Sequence, residues 1–134
     1  MFVINSDDRI EYVAADAEKV NSELSKLFHD IEKLLNSNLD EYEIFYYESM
    51  IHLVFVKIHP FQDGNGRTAR LLEKWFLIEK LGDKATAIQL EKNYYLNVLS
   101  YYSNIKNLGL DYEMLDYSKS LDFLLMTVNS LKSR

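Results

Sequence analysis

Residues that end helices are almost confined to one stretch of this chain. Its single proline, Pro60, and two of its four glycines, Gly64 and Gly66, fall within seven residues, while Gly82 and Gly109 stand alone. Proline removes a backbone donor and clashes with the preceding helical turn, and glycine supplies positive φ. A β-sandwich or barrel needs turn signals about every eight to twelve residues, and this chain lacks them. With 134 residues, 48% apolar and 27% charged, it has material for one packed domain and is not polar enough for disorder. The expectation is a mainly α fold, one domain over 1–134, interrupted by one special loop.

Hydrophobic spacing fills in the elements. Phe2 to Ile4 and Ile10 to Val13 are short β-favouring runs around the turn-forming Asn5 to Asp8, which predicts a small N-terminal β-hairpin over about 2–13. Asp16 is a candidate N-cap for a helix to about Leu35, in which Val20, Leu24, Leu27, Ile31 and Leu35 recur three or four apart. A second helix, from Asp40 to about Ile58, is apolar nearly all round and therefore central. It should end near Ile58 or His59, because the residue before a proline is pushed out of the helical region. The pattern resumes around Gly66 or Arg67 and closes at Lys80 and Gly82. Two further helices, Lys84 to about Asn107 and Tyr112 to Leu131, are expected on either side of Gly109.

Fifteen Lys and Arg against 21 Asp and Glu leave a net charge of −6, which argues against a nucleic-acid partner. The absence of cysteine excludes disulfides, a thiolate zinc site and a cysteine nucleophile. Only four apolar residues precede Asn5 and the acids that follow, too few for a signal-peptide core, and no run reaches the roughly 18 apolar residues of a membrane span. The expectation is a cytoplasmic protein with no membrane contact.

The loop carries the chemistry. His59-Pro-Phe-Gln-Asp-Gly-Asn-Gly-Arg-Thr-Ala-Arg70 places two glycines around an asparagine directly before a helix. Backbone N–H groups can converge there on an anion, backed by the positive end of the helix. Arg67 and Arg70 follow one turn apart on one face, and two guanidiniums beside a nest suit a nucleotide di- or triphosphate better than one phosphate. Asp63 supplies a hard oxygen for Mg²⁺, which commonly takes its other ligands from phosphates and water. His59, with an ordinary pKa near 6.5, is the candidate general base for a hydroxyl attacking phosphorus. The Gly-x4-Gly-Lys-Ser/Thr spacing of a P-loop is absent.

These twelve residues match the Fic-domain signature His-Pro-Phe-x-Asp/Glu-Gly-Asn-Gly-Arg-x-x-Arg at every defined position. The chain is similar to that family beyond the loop as well: Met1 to Tyr12 resembles its flap hairpin, and Ala69 onward its later core helices, so that the likeness covers essentially the whole chain. The resemblance implies an enzyme that transfers AMP from ATP to a Ser, Thr or Tyr hydroxyl of a target protein, releasing pyrophosphate. It implies that His59 takes the hydroxyl proton and that Asp63 holds Mg²⁺. Gly64, Asn65 and Gly66 would form the anion hole, Asn65 also reaching the α-phosphate, with Arg67 and Arg70 on the β- and γ-phosphates. It further implies that Phe61 points into the core, that Gly66 favours the AMP-transferring orientation, and that the flap aligns the target as an added strand, the other reading of the hairpin being an edge that closes the core. The alternatives are another nucleotide donor, removal of AMP, or a non-catalytic nucleotide-binding module.

Many members are restrained by a helix carrying Ser/Thr-x-x-x-Glu-Gly/Asn; here it would come from a separate antitoxin acting in trans or from an N-terminal part absent from this sequence, or the enzyme is not regulated by this route. Ser37 to Glu41 has the spacing but is followed by Tyr42 at a predicted helix start, and is read as a chance match. Tyr94, Tyr95, Tyr101 and Tyr102 are candidates for the adenine-pocket wall, or equally for core packing. His52, one residue past the helical face of Ile51, is expected in core packing, the alternative being contact with the active-site wall, and His29 is expected on the surface.

Overall fold

The computed structural model describes residues 2–4, 10–88, 96, 98–109 and 112–129. Two strands, β1 (Phe2–Ile4) and β2 (Ile10–Val13), pair antiparallel, with Phe2 opposite Val13, Val3 opposite Tyr12 and a register shift between Val3 and Ile4. The expected turn at 5–8 lies outside the described residues. The helices are α1 (Val20–Leu35), α2 (Glu41–Ile58), α3 (Asn65–Leu81), α4 (Val98–Lys106) and α5 (Leu121–Asn129).

Helix α2 is the axis of the molecule. Its start is fixed by a capping box: the Asp40 side chain accepts from the Glu43 N–H at 2.8 Å, and the Glu43 side chain accepts from the Asp40 N–H at 3.2 Å. Glu41 is therefore a first-turn residue of α2, in keeping with the chance-match reading of Ser37 to Glu41. Leu53 and Ile58 are fully buried, and Ile51, Phe55 and Val56 nearly so, because α1, α3 and α5 pack around the helix. Each such aliphatic or aromatic side chain contributes roughly 1.5–3 kcal/mol by leaving water. The Ala15 N–H donates to the Lys57 carbonyl at 3.4 Å, which ties the exit of β2 to the last turn of α2. Lys80 draws α3 to α1 by donating to the carbonyls of Leu35 (3.1 Å) and Ser37 (2.7 Å), where a cation meets the negative end of a helix.

Three expected boundaries are corrected. Asp16 does not cap a helix: its side chain makes no cap bond, a 3₁₀ turn at Ala17–Lys19 intervenes, and α1 begins at Val20. No helix starts at Lys84, because Gly82–Ala87 form a 3₁₀ segment and Ile88 is extended. Ala85 and Ile88, both buried, are three apart, the spacing that a 3₁₀ turn aligns on one side. The stretch from Tyr112 is likewise broken into 3₁₀ turns at Tyr112–Met114 and Tyr117–Lys119 before α5. There the Asp116 side chain accepts from the Ser118 N–H at 3.0 Å and competes with helix continuation.

Candidate active site

The site begins where α2 stops. Pro60 bars its predecessor from continuing the helix, and His59 takes a left-handed conformation (φ 54°, ψ 60°) while its N–H still donates to the Phe55 carbonyl at 3.0 Å. Among the described residues His59 is the one non-glycine with positive φ. Such a backbone costs on the order of 1–3 kcal/mol and is found where the surroundings hold a functional side chain in place. Partial burial disfavours the imidazolium, so the pKa of His59 is lowered from 6.5.

The loop beyond His59 is closed by Asn65. Its Oδ1 accepts from the Phe61 N–H at 3.0 Å and its Nδ2 donates to the Phe61 carbonyl at 2.7 Å, so both ends of the amide are bonded to one residue. Two expectations change. The Asn65 side chain does not reach out toward a phosphate; it is buried and shapes the loop. Phe61 does not point into the core: its ring is 52% exposed and leans on Phe55 with centroids 6.5 Å apart. The backbone of Phe61, not its ring, anchors the loop.

Gly64, at φ 82°, makes the left-handed turn that launches α3, and its N–H is taken by Asp63 Oδ1 at 2.8 Å. The converging donors are therefore the first-turn N–H groups of Asn65, Gly66 and Arg67, which have no helical carbonyl to bond. Gly66 is helical, not at positive φ; its value is space, since a Cβ there would lie 3.5 Å from both Arg70 Nη1 and the Tyr101 hydroxyl. Arg67 reaches back to Asp63 Oδ2 at 3.2 Å, an exposed pair worth about 0–1 kcal/mol that a bound anion can replace.

His59, Gln62, Asp63, Gly64, Asn65, Gly66, Arg67 and Arg70 thus line one cavity of about 350 Å³, closed by Val3, Tyr101 and Tyr102. The loop residues singled out in the sequence, His59, Asp63, Gly64, Asn65, Gly66, Arg67 and Arg70, all stand at it, as do Tyr101 and Tyr102. Tyr94 and Tyr95 lie outside the described residues. Among the described residues no three His, Cys, Asp or Glu side chains gather as a metal centre. The lone Asp63 carboxylate fits a divalent ion that takes most of its ligands from phosphates and water. A second hollow of about 380 Å³, between α1 and α2, is lined mainly by apolar residues such as Leu27, Ile31, Met50 and Val54.

Beneath the nest lies a buried polar group that sequence reasoning missed: Glu48 and His52 of α2 and Glu73 of α3, all fully buried. Both readings of His52 hold at once: it is buried in the core and reaches the cavity wall through Tyr101 (2.7 Å), while its bond to Glu73 (2.8 Å) was not expected. The available signal was a pair of ionisable residues four apart, Glu48 and His52, in the mainly apolar middle of α2.

Among protein families, the Fic/DOC family model matches residues 3–77. The chain belongs to the Fic/DOC family. The match runs from β1 into α3, so it includes every Fic/DOC signature residue and leaves residues 78–134 outside, a narrower likeness than the sequence suggested. This Fic/DOC chain is also 40% identical over 70 residues to a protein of Aedes aegypti named protein adenylyltransferase Fic; the aligned part is 50% of this chain and 14% of that relative. No solved structure gives a significant match. Among the described residues of the Fic/DOC chain no helix is long and apolar enough to cross a membrane.

Proposed function

We propose that this chain is a nucleotidyltransferase that moves AMP from ATP to a Ser, Thr or Tyr hydroxyl of a target protein and releases pyrophosphate. The observation that carries the reading is the placement of the His59 imidazole on the same cavity as a helix-terminal N–H nest and two guanidiniums. The name of the mosquito relative agrees with it. His59 accepts the proton as the hydroxyl oxygen attacks the α-phosphorus; the bond from that phosphorus to the oxygen bridging to the β-phosphate breaks, and pyrophosphate leaves. The N–H groups of Asn65, Gly66 and Arg67 face the charge that develops on the α-phosphate, and Arg67 and Arg70 hold the distal phosphates. Such transfers depend mostly on positioning and charge stabilisation. Asp63 would be the protein ligand of Mg²⁺, which when bound neutralises phosphate charge.

The pairing of β1 with β2 beside this cavity supports the flap reading. A target segment would add to the strand edge, a β-augmentation that presents its hydroxyl to His59. An antitoxin helix in trans, with a Glu against Arg70, would block the outermost phosphate.

Incubation with ATP labelled on the α-phosphate and a cell lysate should label protein in a His59-dependent way. Label delivered from the γ-phosphate instead, or no label from any nucleotide, would overturn the assignment.

A further inference from the structure

Helix α3 carries large apolar side chains on the face it turns away from the core. Its inner side is made by Asn65, Ala69, Glu73, Phe76 and Leu77, all buried. Leu71, Trp75 and Ile78 lie on the opposite side of the helix and are 66%, 43% and 47% exposed. The outer face of a surface helix is normally polar, and apolar residues scattered singly on it need no explanation. These three are not scattered. With the half-buried Thr68 before them they are spaced three, four and three residues apart, the alternation by which one helix presents a seam to another. Read as heptads, Thr68 and Trp75 take the first core position of each repeat, and Leu71 and Ile78 the second. The helix needs no partner to form, because the Gly64 turn starts it and its inner face is already in the core. The ordering cost that makes short isolated helices marginal has therefore been met by the fold.

The charges along the two edges of the seam say what fits on it. Arg67 and Lys74 flank one edge and Glu79 the other, all three exposed. In a parallel pair of identical helices, the residue just before Trp75 faces the residue just after Ile78 of the other copy. Lys74 of each copy then meets Glu79 of its counterpart, and the twofold axis makes that contact twice. In an antiparallel pair each edge meets its own kind, so Arg67 and Lys74 would face the same two cations. Lys74 also has an interaction within its own chain. An ammonium carries three donors, so that interaction and a contact across the pair do not exclude each other. We propose that the outer face of α3 binds a second copy of this chain, the two α3 helices lying parallel, with Leu71, Trp75 and Ile78 each beside its counterpart. Both phosphate nests, at the starts of the two helices, then open at the same end of the pair. Interfaces below about 1,200 Å² are weak and transient, and a seam of this size belongs with them, so monomer and dimer exchange. The pairing stands apart from the nucleotide reading and uses none of the cavity-lining residues.

Trp75 is the one tryptophan of the chain, so its fluorescence reports on this face alone. As the full chain is raised from about 1 μM to about 1 mM, the range in which weak pairs form, sedimentation should pass from monomer to dimer. Trp75 emission should move to shorter wavelength in step with it. Leu71→Asp should stay monomeric with emission that ignores concentration, its helical circular dichroism unchanged. Lys74→Glu and Glu79→Lys should each weaken association about fivefold, the scale of exposed ion pairs lost in duplicate. An equimolar mixture of those two variants should associate more tightly than either alone, because every glutamate then faces a lysine. A native chain still monomeric at about 1 mM, a dimer that leaves Trp75 emission unmoved, or a dimer that survives Leu71→Asp overturns the proposal. Tighter association of Lys74→Glu by itself also overturns it, since only an antiparallel pair would gain from losing that charge. If Leu71→Asp does not fold, the charge-swapped mixture decides: no gain on mixing means the helices do not meet in this way.

Discussion

Two histidines seven residues apart, one inside helix α2 and one just past its end, live under opposite physics. His52 is sealed in the core with both ring nitrogens bonded, its pKa lowered to about 3. His59 stands one residue past the helix end, on a left-handed backbone, at the edge of a polar cavity. Both are held neutral near pH 7, but the first cannot meet a ligand and the second lines the place where one would sit. The same residue type serves as scaffold or as reagent according to whether the helix continues past it, and Pro60 makes that decision.

Substitution should separate the two roles. His59→Ala is expected to lower AMP transfer by about 10²–10⁴-fold, the usual contribution of a general base, without moving the thermal midpoint. His52→Ala should lower stability by about 3 kcal/mol, since it leaves the buried Glu73 carboxylate short of a donor. Denaturant unfolding measures the second effect and labelled-ATP assays the first; a stability loss confined to His59→Ala would reverse the comparison.

Acid should separate them as well. With its pKa lowered from 6.5, His59 stays neutral, and able to accept a proton, to lower pH than an exposed histidine, so the acid limb of the transfer rate should lie below 6.5. For His52 the folded value of about 3 lies below the unfolded one, so the unfolded chain binds more protons between them. Its contribution to stability is complete above about pH 6.5 and is lost as pH falls toward 3. Urea midpoints over that range should decline, and less so in a His52→Gln protein.

The smallest effect is the most diagnostic of the loop. Gly66→Ala fits at 3.5 Å from its neighbours and replaces a helical glycine. It should therefore raise stability by roughly 0.5–1 kcal/mol while weakening nucleotide binding, because the new methyl group fills the space between Arg70 and Tyr101.

The signature loop was legible because its chemistry is contiguous: His59, Asp63, the glycines and both arginines lie within twelve residues, and one helix start gathers them. Helix α2 was legible for a similar reason, its apolar residues leaving no polar face to place outside. Long-range pairings were not. Nothing near Tyr101 in the sequence announces a partner at His52, 49 residues away, and nothing near His52 announces Glu73, 21 residues on. The Phe61 expectation failed because a large apolar side chain was assigned to the core when the adjacent backbone had already been fixed by Asn65. The segments after Gly82 failed for want of competition terms: helical periodicity there is outvoted by local caps such as Asp116 and by the need to bury Ala85 and Ile88 together.

The clamp on Phe61 also bears on how the molecule ages. Asparagine followed by glycine is the pairing most prone to lose its side-chain amide, because the unhindered glycine nitrogen attacks the amide carbon and closes a five-membered imide. In this chain the amide of Asn65 is turned back onto the Phe61 backbone and held at both ends, while Gly66 is fixed in the first turn of α3. The side chain cannot fold forward onto its neighbour without opening the loop. The fold therefore guards the most fragile bond of its own signature, and slow conversion of Asn65 to aspartate becomes a clock for how often that loop comes apart.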